Sequence, residues 1–140
     1  RRMASLDPGQ DMVFDRLYGL EFGETTPERM TATCPVAPKV LQPFGIVHGG
    51  VLCAMAETIA SVGTYLGVHE AGNISVGMSN YMSFLRPITA GTIRAEAKPR
   101  HRGRTTWIWD VEITNDGGAL CAVGRITIAV RPRPSPPAAR

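Results

Sequence analysis

Cysteine is scarce in this chain of 140 residues: Cys34, Cys53 and Cys121 are odd in number, widely spaced and contain no Cys-x-x-Cys pair. That argues against a disulfide framework and against a structural zinc site, and a reducing cytosol suits three isolated thiols. Histidine is as sparse. His48, His69 and His101 have no ligand spacing, so neither a metal nor a redox cofactor is expected. The net charge of +3 and a pI near 9.0 favour an anionic partner. Yet the arginines of the last third, among them Arg100, Arg102, Arg104 and Arg125, have no aromatic stacking set or recognition helix beside them, which sets nucleic acid aside. An N-terminal apolar run is missing too, since Asp7, Pro8, Gly9 and Asp11 stand where a signal peptide would place it. The stretch Gly49–Val68 has the length of a membrane span but is rich in Ala, Gly, Ser and Thr and carries Glu57. A cytoplasmic protein that crosses no membrane is expected.

What is present reads as one domain. Hydrophobic residues make up 44% and charged ones 19%, and a chain of this length buries roughly two-thirds of its unfolded surface without a staple. Residues 11–18 carry Met12, Val13, Leu17 and Tyr18 at helical spacing. Residues 20–22 and 29–34 read as a hairpin around Thr25-Thr26-Pro27, and 35–50 as a loop punctuated by Pro35, Pro38, Pro43 and Gly45. Next, Leu52, Met55, Ile59, Val62 and Leu66 form the stripe of a long helix, whose opposite face carries Cys53, Ala54, Glu57, Ser61 and Thr64. Small or polar residues in place of a charged surface imply a helix covered on both faces. From Ile74 the period changes to two. Ile74, Val76, Met78, Met82 and Phe84 are followed by alternating runs at Ile93–Ala97, Trp107–Ile113 and Leu120–Val130, with Asn115-Asp116-Gly117-Gly118 as a hairpin turn. Short turns between long strands require an antiparallel sheet, and the helix must lie on one face of it, an α+β architecture. The domain is expected over residues 1–130, with a flexible Pro/Arg-rich tail at 131–140.

Glu57 is the residue to explain, because no other charge occurs in Gly49–Val68. An unpaired carboxylate among apolar residues is costly unless the site hydrogen-bonds it or shifts its pKa. The plain reading has it reach solvent or an arginine from elsewhere. Likewise Gln42 reads plainly as a solvated loop residue, His48 as a helix cap, Ser61 as a serine bonded to its own backbone, and the arginines as a solvated strand edge.

The run Gln42-Pro43-Phe44-Gly45-Ile46-Val47-His48-Gly49-Gly50, followed by Ala56-Glu57-Thr58-Ile59-Ala60-Ser61, resembles the signature of hotdog-fold acyl-CoA thioesterases. The likeness is to the 4-hydroxybenzoyl-CoA, phenylacetate-pathway and 1,4-dihydroxy-2-naphthoyl-CoA thioesterase group. It extends to His101-Arg102-Gly103-Arg104, the surroundings of Trp109 and the Asn115-Asp116-Gly117-Gly118 turn. The resemblance implies a sheet wrapped around the central helix and hydrolysis of an aromatic or medium-size acyl-CoA to free acid and CoA. It implies a homodimer or homotetramer with the active site at the dimer interface. Glu57 would be nucleophile or general base, the Gly49 N–H the oxyanion donor, and Gln42, His48 and Ser61 would orient carboxylate, loop and water. Gly50, Ser83, Phe84, Arg86, Arg102, Gly103, Arg104 and Thr105 match positions near substrate and CoA. At Ser83-Phe84 some members carry Asn and His, so a different acyl or aryl group is expected here. Two other functions fit the same fold: hydration of enoyl or hydroxyacyl thioesters, with His48 sharing acid–base work, and a non-catalytic acyl-CoA-binding module.

Overall fold

The computed structural model describes residues 12–135, 137 and 138. A short helix α1, Val13–Tyr18, ends at Gly19, whose φ of +101° stops it. The first residue of the expected helix, Asp11, lies outside the described residues. Only part of the expected apolar stripe holds α1 in place: Tyr18 is buried and Met12 packs against the core, while Val13 and Leu17 are 64% and 70% exposed. Asp15 adds to it. It is buried and accepts hydrogen bonds from the Tyr18 hydroxyl at 2.5 Å and from the Thr58 hydroxyl on the long helix at 2.7 Å.

The strands β1 (Glu21–Thr25) and β2 (Met30–Pro35) form the expected hairpin. After a 3-10 turn at Pro38–Val40 comes the long helix α2, Gly49–Val68, then β3 (Asn73–Phe84), β4 (Thr92–Arg102), β5 (Thr106–Thr114) and β6 (Leu120–Pro132). All pairings are antiparallel, in the order β1-β2-β4-β5-β6-β3. This is the helix-wrapping sheet that the resemblance implies. The last strand runs past the expected boundary at 130: Arg131 and Pro132 pair with Ile74 and Asn73, and the Arg133 N–H donates to the Gly72 carbonyl. Residues 136, 139 and 140 of the expected tail lie outside the described residues.

The core sits between α2 and the concave face of the sheet, where Met30, Met55, Ile59, Ile93, Trp109, Val111, Ile113, Ile126 and Ile128 are fully buried. Half of the long helix is buried within the fold, so its membrane-like length belongs to a core helix. Gly63 brings α2 close to the sheet, since a Cβ there would lie 2.5 Å from the Trp109 ring. Thr64, assigned by spacing to the open face, is fully buried: its hydroxyl accepts from the Trp109 indole N–H at 2.9 Å and donates to the Ala60 carbonyl. The sheet twists as it wraps the helix, so the covered stripe drifts and takes in Thr64 while Glu57 stays outside.

β3 departs from the expected alternation. A bulge between Gly77 and Ser79 shifts its register, and Val76, Met78, Tyr81 and Phe84 are 47–74% exposed. It is the edge strand beside the uncovered face of α2.

Candidate active site

The loop before α2 is built to present the helix N-terminus. Gln42 and Gly45 close a tight turn, with the Gly45 N–H donating to the Gln42 carbonyl at 3.0 Å and the Gln42 N–H to the Ile46 carbonyl at 2.8 Å. Gly45 has a φ of +79°, which favours glycine. The Gln42 side-chain oxygen accepts from the Phe44 N–H, which leaves its NH2 group as the free end. His48 caps the helix, as the plain reading has it: Nδ1 accepts from the Gly50 N–H at 2.8 Å and its carbonyl from Val51. The Gly49 N–H therefore has no partner among the described residues, and it points out of a helix end that carries about half a positive charge. An added Cβ at position 49 would sit 2.7 Å from the Phe84 ring, so a side chain there would have to displace that ring.

A cleft of ≈ 650 Å³ opens at this point, lined by Gln42, His48, Gly49, Gly50, Phe84 and Arg86 among others. The Val47 N–H donates to the Ile88 carbonyl at 2.8 Å, tying its two walls together. The geometry can hold an oxygen at the Gly49 amide and an anion at Arg86, which is exposed and pairs with no carboxylate among the described residues.

Glu57 does not line this cleft. It lies seven residues beyond Gly50, about 10 Å along the helix axis, with its carboxyl group over Gly77 of β3. It is exposed and forms no ion pair among the described residues. The neighbouring Cys53 thiol has its pKa raised by burial and then by the Glu57 charge. One turn on, the Ser61 hydroxyl bonds that of Ser75 at 3.2 Å, and Ser75 donates to the Ser61 carbonyl at 2.9 Å, so Ser61 is bound across to β3 and not to its own helix.

The turn Arg102-Gly103-Arg104-Thr105 sits at the other end of α2, where Trp107 packs on Gly67. Arg102 is engaged by Glu28 at 3.3 Å and stacks over Trp107 at 4.8 Å. The fold thus brings Gln42, His48, Gly49, Gly50, Phe84 and Arg86 together, and leaves Glu57, Ser61 and the 102–105 turn apart from them. Ser83 lies beside Phe84 but not in the cleft lining. Sequence reasoning missed Asn80, whose Nδ2 donates to the Cys53 carbonyl at 2.9 Å and whose buried Oδ1 has no donor among the described residues. Its only signal was a carboxamide in the middle of a strand otherwise made mostly of serines and apolar residues.

A family profile described as the thioesterase superfamily matches residues 44–122, from the loop before α2 into the start of β6. The chain belongs to the thioesterase superfamily. A solved structure of thioesterase PA1618 from Pseudomonas aeruginosa superposes with a TM-score of 0.85 at 32% identity, over 95% of this chain and 98% of that one. The proofreading thioesterase EntH of Cronobacter turicensis is 34% identical over 112 residues, 80% of this chain and 81% of its own. Two structures of SAV0944 from Staphylococcus aureus, with TM-scores of 0.83 at 30% and 29% identity, cover 86% of this chain and 99–100% of their own. They carry alanine in place of a glutamate and of a glutamine fifteen positions apart, the separation of Gln42 and Glu57. This thioesterase is a thioester hydrolase with the hotdog fold: a long central helix wrapped by an antiparallel sheet.

Proposed function

We propose that this thioesterase hydrolyses acyl-CoA at sites shared between two protomers, Gly49 of one polarising the thioester and Glu57 of the other carrying the reaction. The observation behind it is that Gly49 and Glu57 lie on one helix beside an exposed edge strand, yet too far apart for one carbonyl. An edge strand with unpaired backbone and exposed Val76, Met78 and Tyr81 is a template for a second copy. Antiparallel addition about the middle of β3 sets the two α2 helices side by side in opposite directions. Glu57 then faces the other protomer's position 49 if the two-fold axis passes their midpoint, Cys53. Asn80, near the middle of β3, is bonded to that residue's carbonyl and holds a buried acceptor still lacking a donor.

In the reaction, the Gly49 N–H stabilises the oxyanion as the carbonyl becomes tetrahedral. Glu57 either attacks the carbonyl, to give an anhydride that water opens, or takes a proton from water as the water attacks. On both routes the C–S bond breaks, the thiolate leaves as CoA, a proton reaches its sulfur and the acid is released. Gln42 orients the carbonyl with its free amide hydrogens, Ser61 orients the water, and Arg86 faces the phosphates, which suit a guanidinium. Three free cysteines fit a cytosolic setting.

The test is thiol release from a panel of aromatic, branched and straight-chain acyl-CoAs by the wild type, Glu57→Gln and Glu57→Ala. Both variants should keep the far-UV spectrum and Tm and lose turnover by about a hundredfold or more. Wild-type rates in purified Glu57→Ala would end the proposal.

A further inference from the structure

The bulge in β3 changes what that strand presents to α2. Side chains of a regular strand alternate, so residues three apart face opposite sides of the sheet. Here Gly77 pairs with Ile128 and Ser79 with Thr127, which leaves Met78 as the inserted residue. The insertion brings positions 77 and 80 onto one face, that of the helix. An added Cβ at Gly77 would lie 3.3 Å from the Glu57 carboxyl carbon, and the Asn80 side chain donates from Nδ2 to the Cys53 carbonyl at 2.9 Å.

That carbonyl already has a task. In an α-helix each N–H donates to the carbonyl four residues earlier, so within Gly49–Val68 the Cys53 carbonyl is the acceptor for the Glu57 N–H. A carbonyl oxygen has two lone pairs, and Asn80 takes the second. The helical turn from Cys53 to Glu57 is thus held against β3 at both ends, by the Asn80 carboxamide at its start and by the contact of the Glu57 carboxyl group with Gly77 at its end.

Stability alone does not account for a carboxamide at this place. Asn80 Oδ1 is buried and has no donor among the described residues. A half-satisfied buried polar group is worse for a fold than an apolar side chain of the same size. Leucine has nearly the shape of asparagine and carries no such cost.

We propose that Asn80 is a positioning residue for Glu57: the bulge at Met78 aims its carboxamide at the Cys53 carbonyl, and that bond holds the turn ending in Glu57 so that the carboxylate keeps one place above β3. The proposal rests on the reading of Glu57 as the group that carries the reaction, and adds the device that fixes its geometry. Asn80 acts through the helix backbone, not on the thioester. A carboxylate that must reach a carbonyl carbon or aim a water loses rate steeply when it is displaced by a small distance.

The test compares the wild type with Asn80→Leu, which keeps the shape and removes the bond. Thiol release is followed on whichever of acetyl-CoA, benzoyl-CoA and decanoyl-CoA the wild type turns over fastest. In the variant kcat and kcat/KM should fall together, by about tenfold or more, with KM unchanged. Tm should stay at or above the wild-type value, and amide hydrogen exchange at the Glu57 N–H should speed up by about fivefold or more. Should Asn80→Leu fail to fold, Asn80→Ala, which cannot overpack, is read in the same way. A wild-type kcat in the folded variant, a loss carried by KM alone, or unchanged exchange at Glu57 would overturn the assignment. Exchange does not depend on turnover, so it separates the two proposals: wild-type rates in Glu57→Ala end the proposed function, whereas unchanged exchange in the Asn80 variant ends the positioning role alone.

Discussion

Thr64 shows what one side chain can decide. Helical spacing groups it with Glu57, yet it is buried and supplies the acceptor for the Trp109 indole N–H. Thr64→Val keeps the shape and removes the acceptor, leaving a buried donor unsatisfied, so it should cost about 1–3 kcal/mol in urea denaturation. A change near zero would show that the indole finds another partner. The sequence assigned both residues to one face because a helical wheel has no knowledge of where a twisting sheet ends. Glu57 itself was legible as the only charge in its helix. Asp15 was not, because its role depends on Thr58, far along the chain.

Among the elements, the long helix and strands β4 and β5 were readable because each buries one continuous apolar face. β3 was misread for a physical reason: its bulge between Gly77 and Ser79 breaks the period of two, and its apolar side chains face outward from a sheet edge. The approach of α2 to the sheet depends on Gly63. Gly63→Ala gains roughly 1 kcal/mol of helix propensity but drives a methyl group against Trp109 and Met30, and overpacking typically costs about 1–3 kcal/mol. A net loss of stability is expected, and a rise in Tm would refute the close contact. Where β2 meets β4, Arg29 binds Glu96 and Glu24. The hydrogen bond from Arg29 holds the Glu96 carboxyl below its ordinary pKa of 4.5. A lowered folded pKa means stability that is present above 4.5 and lost as pH falls through the folded value. Tm of Glu96→Gln should therefore lie slightly below wild type at neutral pH and converge with it in acid; a constant gap would contradict this linkage.

For the molecule as a whole, the fold was readable from one chain, and a site shared between two chains entered only through the family resemblance. The motif from Gln42 to Ser61 is contiguous in sequence, but the helix that carries it separates Gly49 from Glu57, and the proposed function completes the site with a second copy. No periodicity in a single chain can express a contact between two chains. The exposed edge of β3 and the Asn80 acceptor without a donor among the described residues are the observations on which that proposal rests. The most direct measurement is complementation between protomers carrying Glu57→Ala and Gln42→Ala, each inactive as a homodimer. In the mixed dimer one of the two shared sites inherits both lesions and the other none. About half of the wild-type rate per mixed dimer should return. If the mixed dimer stays as inactive as its parents, each site lies within one protomer, and the shared site is contradicted.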